Sequence, residues 1–162
     1  MTKELNPKNL QKLSDDELEE SVIKYIFANE SESENIYDIV MRKSKSIRMF
    51  YATWIVDMEV HNGGFHQFFW NRSGKFAFEA LDGYNLLGAK KHAKLMDKAI
   101  KLFMKELPKQ EKFRKDGTLK SFSESYKHTD TGKLTDDFFA IEKTEDVRKM
   151  RIDYLRKHIN KE

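Results

Sequence analysis

The chain has 162 residues, with 30 Lys and Arg against 27 Asp and Glu, no cysteine, two prolines and seven glycines. That is the size of one domain, able to bury roughly two thirds of its surface. The missing cysteine excludes a disulfide framework, a thiol nucleophile and a thiolate zinc site, and it fits a reducing cytoplasm. The first twenty residues lack an apolar core and no run approaches the ~18 apolar residues of a membrane helix, so the expectation is a soluble cytoplasmic protein with no membrane partner.

In chain order, Ser14 and Glu17 form a capping pair, flanked by Leu13 and Leu18 as a hydrophobic staple. Leu18, Val22, Tyr25 and Ile26 then recur at helical spacing. Ile36, Ile39, Val40 and Lys43 mark a short second helix after an acidic stretch. From Ile47 to His61 one apolar row holds Ile47, Phe50, Tyr51, Trp54 and Met58, and an opposite row holds Met49, Val56 and Val60, which places this helix inside the molecule. Asn62-Gly63-Gly64 is expected to stop it, followed by a short turn or helix at Phe65 to Trp70. Lys75 to Leu87 carries Ala77, Ala80, Leu81 and Tyr84 on one face, with Gly88 as its C-cap. Ala89 to Leu107 sets Ala93, Met96, Ile100, Phe103 and Leu107 against Lys90, Lys94, Lys98, Lys101 and Lys105, and Pro108 is expected to end it. The polar run from Lys109 to Lys133 suggests a helical turn or partial disorder. Leu134 to Ile141 reads as a short helix, and Thr144 as the cap of a last one whose Val147, Met150, Tyr154 and Leu155 face inward. No strand alternation and no repeat appear. The prediction is an all-α fold, a single helical domain over 1–162 with about six to eight helices, in which 1–44 are acidic N-terminal helices and 45–160 the core.

Charge is unevenly placed. Residues 1–40 hold four Lys and ten acids, and residues 41–162 hold 26 basic and 17 acidic residues. Asp15, Asp16, Glu19, Glu20, Glu30, Glu32 and Glu34 offer a surface for a basic partner or for the protein's own cations. Charge at a helix N-terminus is also favoured by the dipole without any partner. The Lys90 to Lys105 face invites a nucleic-acid reading, since neutralised phosphates release counterions. Without a helix-turn-helix, zinc ligands or a ribonucleoprotein motif, a solvated helix face is the preferred account and nucleic acid a disfavoured partner.

The densest chemical stretch runs from Glu59 to Asn71. As a metal-dependent hydrolase it would use Glu59, His61 and His66, but the two histidines straddle Gly63-Gly64 and no HExxH spacing sets them on one face. An acid–base pair of His61 with Glu59 or Asp57 lacks a nucleophile elbow or phosphate loop beside it. The structural reading accounts for more residues: Asn62, Gly63 and Gly64 turn the chain, Phe65, Phe68 and Phe69 drive it into the core, and Glu59, Gln67 and Asn71 bond backbone groups that the turn exposes. A buried Glu59 requires such donors around it. No catalytic residue, cofactor or metal is expected.

This string, Glu59-Val60-His61-Asn62-Gly63-Gly64-Phe65-His66-Gln67-Phe68-Phe69-Trp70-Asn71, followed by Ala80-Leu81, Leu86-Leu87-Gly88-Ala89 and a long amphipathic helix, resembles a bacterial family of unknown function typified by a DNA-mimic protein. Leu134 to Ala140 is similar to that family's second short signature, and the resemblance spans roughly 45–160. It implies an all-helical, non-enzymatic, dimeric cytoplasmic protein that binds another protein, in a regulatory or immunity-like role. The type member presents acids spaced like duplex phosphates. Here the matching region is basic and the acids gather at 15–34, outside most of it, so no partner-binding residue transfers from the family.

Overall fold

The computed structural model describes residues 10–28 and 34–158, and the acids at 30 and 32 lie outside them. Among the described residues eight α-helices are bounded, in chain order: α1 Asp15–Phe27, α2 Ile36–Met41, α3 Lys45–Trp70, α4 Ala77–Leu87, α5 Lys90–Asp116, α6 Leu119–Ser125, α7 Thr131–Glu142 and α8 Val147–His158. Short 3-10 turns at Arg72–Phe76 and Tyr126–His128 link α3 to α4 and α6 to α7. No strand occurs among the described residues, and none of their helices is long and apolar enough to cross a membrane.

Helix α3 is the axis of the bundle, and α2, α4, α7 and α8 pack around it. Its two apolar rows explain this. Ile47, Phe50 and Tyr51 of one and Met49, Val56 and Val60 of the other are all buried. Two residues of the first row depart from it: Trp54 is half-buried and Met58 is 52% exposed, because the row drifts off the core as the helix turns. Gly83 of α4 lets the two helices close up: a Cβ there would sit 2.8 Å from the Thr53 methyl.

The capping box of α1 forms as its residues dictate, with Ser14 Oγ accepting from the Glu17 N–H and the Ser14 N–H donating to Glu17 Oε2 at 2.8 Å. Asn35 caps α2 by accepting from the Tyr37 N–H at 3.0 Å. At the C-terminus of α4, Gly88 adopts the left-handed conformation at φ +75°.

Two expectations for the second half are corrected. Helix α5 does not end at Pro108 but runs on to Asp116, so much of the span 109–133 is helical. Proline removes one N–H from the ladder, and here the loss falls where Met104, Lys105, Pro108 and Lys109 are exposed and water can serve the freed carbonyl. Beyond it the helix is tied down. Gln110 Nε2 donates to the Ser125 and His128 carbonyls at 3.3 and 3.0 Å, and Arg114 donates to the Phe69 carbonyl. Thr144 does not cap α8. Its hydroxyl donates to the Ile141 carbonyl, and Asp146 Oδ1 instead accepts from the Lys149 N–H at 2.9 Å. On α8 the buried face is Val147, Arg151, Ile152 and Leu155, while Met150 and Tyr154 are only partly covered.

Candidate functional site

The Glu59–Asn71 stretch lies on α3 across a sharp kink. Gly63 (φ −157°, ψ 24°) and Gly64 (φ 72°, ψ −177°) leave helical geometry, and a second helical segment begins at Phe65 on a new axis. Only Gly64 requires the left-handed region. It also needs space, since a Cβ would stand 2.7 Å from Thr135 Oγ1, whose oxygen accepts the Phe65 N–H at 3.1 Å. Gly63 is needed for room alone: its absent Cβ would overlap the Gln67 carboxamide at 2.2 Å. Asn62 sits exposed on the outside of the corner.

Gln67 cannot yield that space because it belongs to a clasp. Glu59 Oε2 accepts from Gln67 Nε2 at 2.8 Å and from Asn71 Nδ2 at 2.9 Å, and Glu59 Oε1 accepts from the Ser73 hydroxyl at 2.8 Å. The carboxylate has its donors, as its position requires, but they are side chains rather than the backbone groups expected from sequence. Ser73, which completes the set, was missed, although it lies two residues past Asn71. Phe65, Phe68 and Phe69 are buried as expected, and the Phe69 ring stacks on Phe103 at 4.4 Å.

The residues weighed as a metal or acid–base set have separate partners. His61 is exposed, with Nδ1 2.7 Å from the Asp57 carbonyl and Nε2 3.3 Å from Glu142 Oε2. His66 is buried against Phe122 and Tyr126, with Nε2 2.7 Å from Ser125 Oγ. Burial, with Arg114 nearby, pushes its pKa down to about 4. Among the described residues no group of three or more His, Asp or Glu is placed to hold a metal.

A second polar assembly, centred on a buried arginine, was not visible as a motif. Arg151 is 1% exposed and donates to Asp57 Oδ2 at 2.8 Å, with Glu19 at 3.9 Å on its other side. Burial pushes the Asp57 carboxyl up against the pull of this guanidinium. Beside it, His92 donates its backbone N–H to Glu145 and places Nδ1 2.7 Å from the same carboxylate. Burial opposes the charge on Glu145, but the His92 side chain and the His92 and Lys91 N–H groups hold its carboxyl below the usual range. The available signal was spacing: 147, 151 and 155 form one i, i+4 row, so Arg151 had to face the core.

The acidic N-terminal residues turn largely toward the protein itself. Asp15 accepts from Arg156 at 2.8 Å, Glu19 from Arg148 at 3.2 Å, and Asp16 also pairs with Arg148. Glu20 pairs with Lys24, and Glu34 with Arg42. Along α5, by contrast, Lys90, Lys94, Lys98 and Lys105 are exposed and have no anionic partner among the described residues, whereas Lys101 pairs with Asp97 at 2.6 Å.

No curated protein and no solved structure matches this chain. A family model described as DMP19-like protein matches residues 42–158, which takes in every helix from α3 to α8, the glycine corner and the Glu59 clasp. The match covers well over half of the sequence, and the chain belongs to the DMP19-like protein family.

Proposed function

We propose that the protein is a non-catalytic helical module that binds another protein of acidic surface through the lysine edge of α5. The observation that carries this reading is the row Lys90, Lys94, Lys98 and Lys105, which has no anionic partner among the described residues, on a helix of 27 residues, while the carboxylates of α1 engage α8. Like charges held in line repel one another, and an acidic partner relieves that repulsion. The non-catalytic part rests on the family motif: its carboxylate is occupied by three donors, and its phenylalanines are consumed in packing. Cytoplasmic placement, a homodimer and a regulatory or immunity-like role belong to the same reading, and sedimentation velocity reports the oligomeric state.

The test is affinity capture from nuclease-treated native extract with three baits: the parent, Lys94→Glu with Lys98→Glu, and Asp16→Lys with Glu20→Lys. The lysine pair is expected to lose the captured protein and the acidic pair to keep it. Capture that survives lysine reversal overturns the proposal for α5 and returns the acidic residues as the contact surface. The same lysine row favours nucleic acid as a second reading. That reading expects a gel shift at low salt whose affinity falls steeply as salt rises.

A further inference from the structure

Helices α5 and α7 pack against each other and leave a cleft of about 260 Å³ between them. Lys91, Lys94 and Lys98 stand along its α5 wall, over about two helical turns that advance about 10 Å. Leu95, between them, is buried at the base, while α7 contributes the exposed Ala140 and the half-buried Ile141. The cleft thus has an apolar floor beneath a row of ammonium groups.

Its charges are not balanced within the described residues. Lys94 and Lys98 have no anionic partner among them, and Lys91 Nζ donates to the Thr144 hydroxyl at 2.7 Å. Asp137 of α7 lines the same cleft without forming an ion pair with any of the three. Glu145, which Lys91 also reaches, accepts instead from the Lys91 and His92 N–H groups and lies 2.7 Å from His92 Nδ1. Three cations against one carboxylate leave the rim positive.

The lining chooses among polyanions. A nucleic-acid strand gains from aromatic platforms on which its bases stack, and no aromatic side chain lines this cleft, while Asp137 sets a like charge against a phosphate backbone. A protein segment can carry carboxylates and an aliphatic anchor on one face. We propose that the cleft seats an acidic amphipathic segment of another protein, with one aliphatic side chain packed on Leu95, Ala140 and Ile141 and carboxylates to either side meeting Lys94, Lys98 and Lys91. This rests on the lysine-edge reading of α5 and narrows its partner: attraction over distance needs only the ammonium row, whereas the cleft adds a demand for an apolar anchor.

The experiment titrates the full chain with a blocked peptide carrying a central leucine between paired glutamates, following the Ala140 and Ile141 methyl resonances by NMR. Saturable shifts are expected at millimolar affinity or tighter, with affinity about tenfold weaker for the same peptide bearing serine in place of leucine, and about tenfold weaker in Lys94→Glu with Lys98→Glu. Ala140→Gln adds neutral polar bulk at an exposed position of α7, so it is expected to weaken the leucine peptide about fivefold or more at the parent's melting temperature. No saturable shift up to about 20 mM overturns the proposal, as does parent-like affinity in Ala140→Gln. Equal affinity for the two peptides, both weakened by lysine reversal, overturns the cleft and leaves the lysine edge standing. Binding indifferent to lysine reversal removes both. Tighter binding of a duplex oligonucleotide or of phosphatidylglycerol vesicles overturns the proposal in favour of nucleic acid or a membrane, and methyl shifts that grow with the concentration of the chain alone overturn it in favour of a second copy.

Discussion

Glu59 shows how much one side chain organises here. Three donors from Gln67, Asn71 and Ser73 converge on it across the kink, so Glu59→Ala orphans the Gln67 and Asn71 amide hydrogens at once, while the Ser73 hydroxyl keeps the Phe68 carbonyl at 3.1 Å. A loss of about 2–3 kcal/mol is expected, since hydrogen bonds to charged groups exceed neutral ones; urea unfolding with the slope held constant measures it. Gly64→Ala should cost about 1–3 kcal/mol from its positive φ, plus whatever the Thr135 contact adds. Phe65→Ala empties a 1% exposed position and should cost about 3–5 kcal/mol. His66 provides the pH dependence. It titrates near 6.5 when unfolded and near 4 in the fold, so as pH falls the unfolded chain takes up the proton first. Its stabilising contribution is complete above 6.5 and drains away down to about 4, on the order of 2–3 kcal/mol in all. Melting from pH 7.5 to 4.5 should show that slope in the parent and much less of it in His66→Gln. The turn and the buried phenylalanines were legible because glycine pairs and apolar spacing are local signals. The clasp was only half legible: residue types indicate a need for hydrogen bonds, but only the angle of the kink decides that side chains rather than backbone supply them.

Among the elements, α5 and α8 depart most from their sequence patterns. Proline usually weakens a helix interior by about 3 kcal/mol, yet α5 passes Pro108 because Glu106, Gln110 and Arg114 anchor both sides of it. Glu106 accepts from the Thr129 hydroxyl at 2.6 Å and the Asp130 N–H at 2.9 Å, bringing the α6–α7 link against the helix. Pro108→Ala restores the missing N–H and should raise stability by about 1 kcal/mol or more, or roughly 2–4 °C in melting temperature per kcal/mol for a chain of this length. The sequence-based stop at Leu107 comes from proline, which breaks a helical ladder, and the row that carries the helix onward at 106, 110 and 114 is polar, so no apolar period argues against that stop. Helix α8 repeats the lesson with Arg151, a cation on an apolar face. Arg151→Ala strands the Asp57 carboxylate in the core and should cost about 3–5 kcal/mol. Truncating both Arg151 and Asp57 to apolar residues should recover a large part of that loss, and a double-mutant cycle reads the coupling.

At the scale of the whole molecule, the near balance of 30 cations and 27 anions conceals two different uses of charge. Acids of α1 fasten it to α8, through pairs exposed enough for salt to weaken them. Lys90, Lys94, Lys98 and Lys105 of α5, by contrast, have no anionic partner among the described residues. Arg148→Ala should therefore cost under about 1 kcal/mol at low salt and nearly nothing at 1 M, where the screening length is about 3 Å. The all-helical class was readable from scarce proline and unbroken helical periods, whereas the pairing of first and last helices was not, since attraction between oppositely charged segments carries no distance information along a chain. Helix α1 lies before residue 42, where the family match begins, and α8 lies within it. A homologue that dispenses with the leading segment has no use for cations at the positions of Arg148 and Arg156, though it retains a reason to keep Arg151 for Asp57. Across the lineage the acids of α1 and those two arginines should be gained and lost together, a correlated evolutionary trace that an alignment of relatives with and without the extension would reveal.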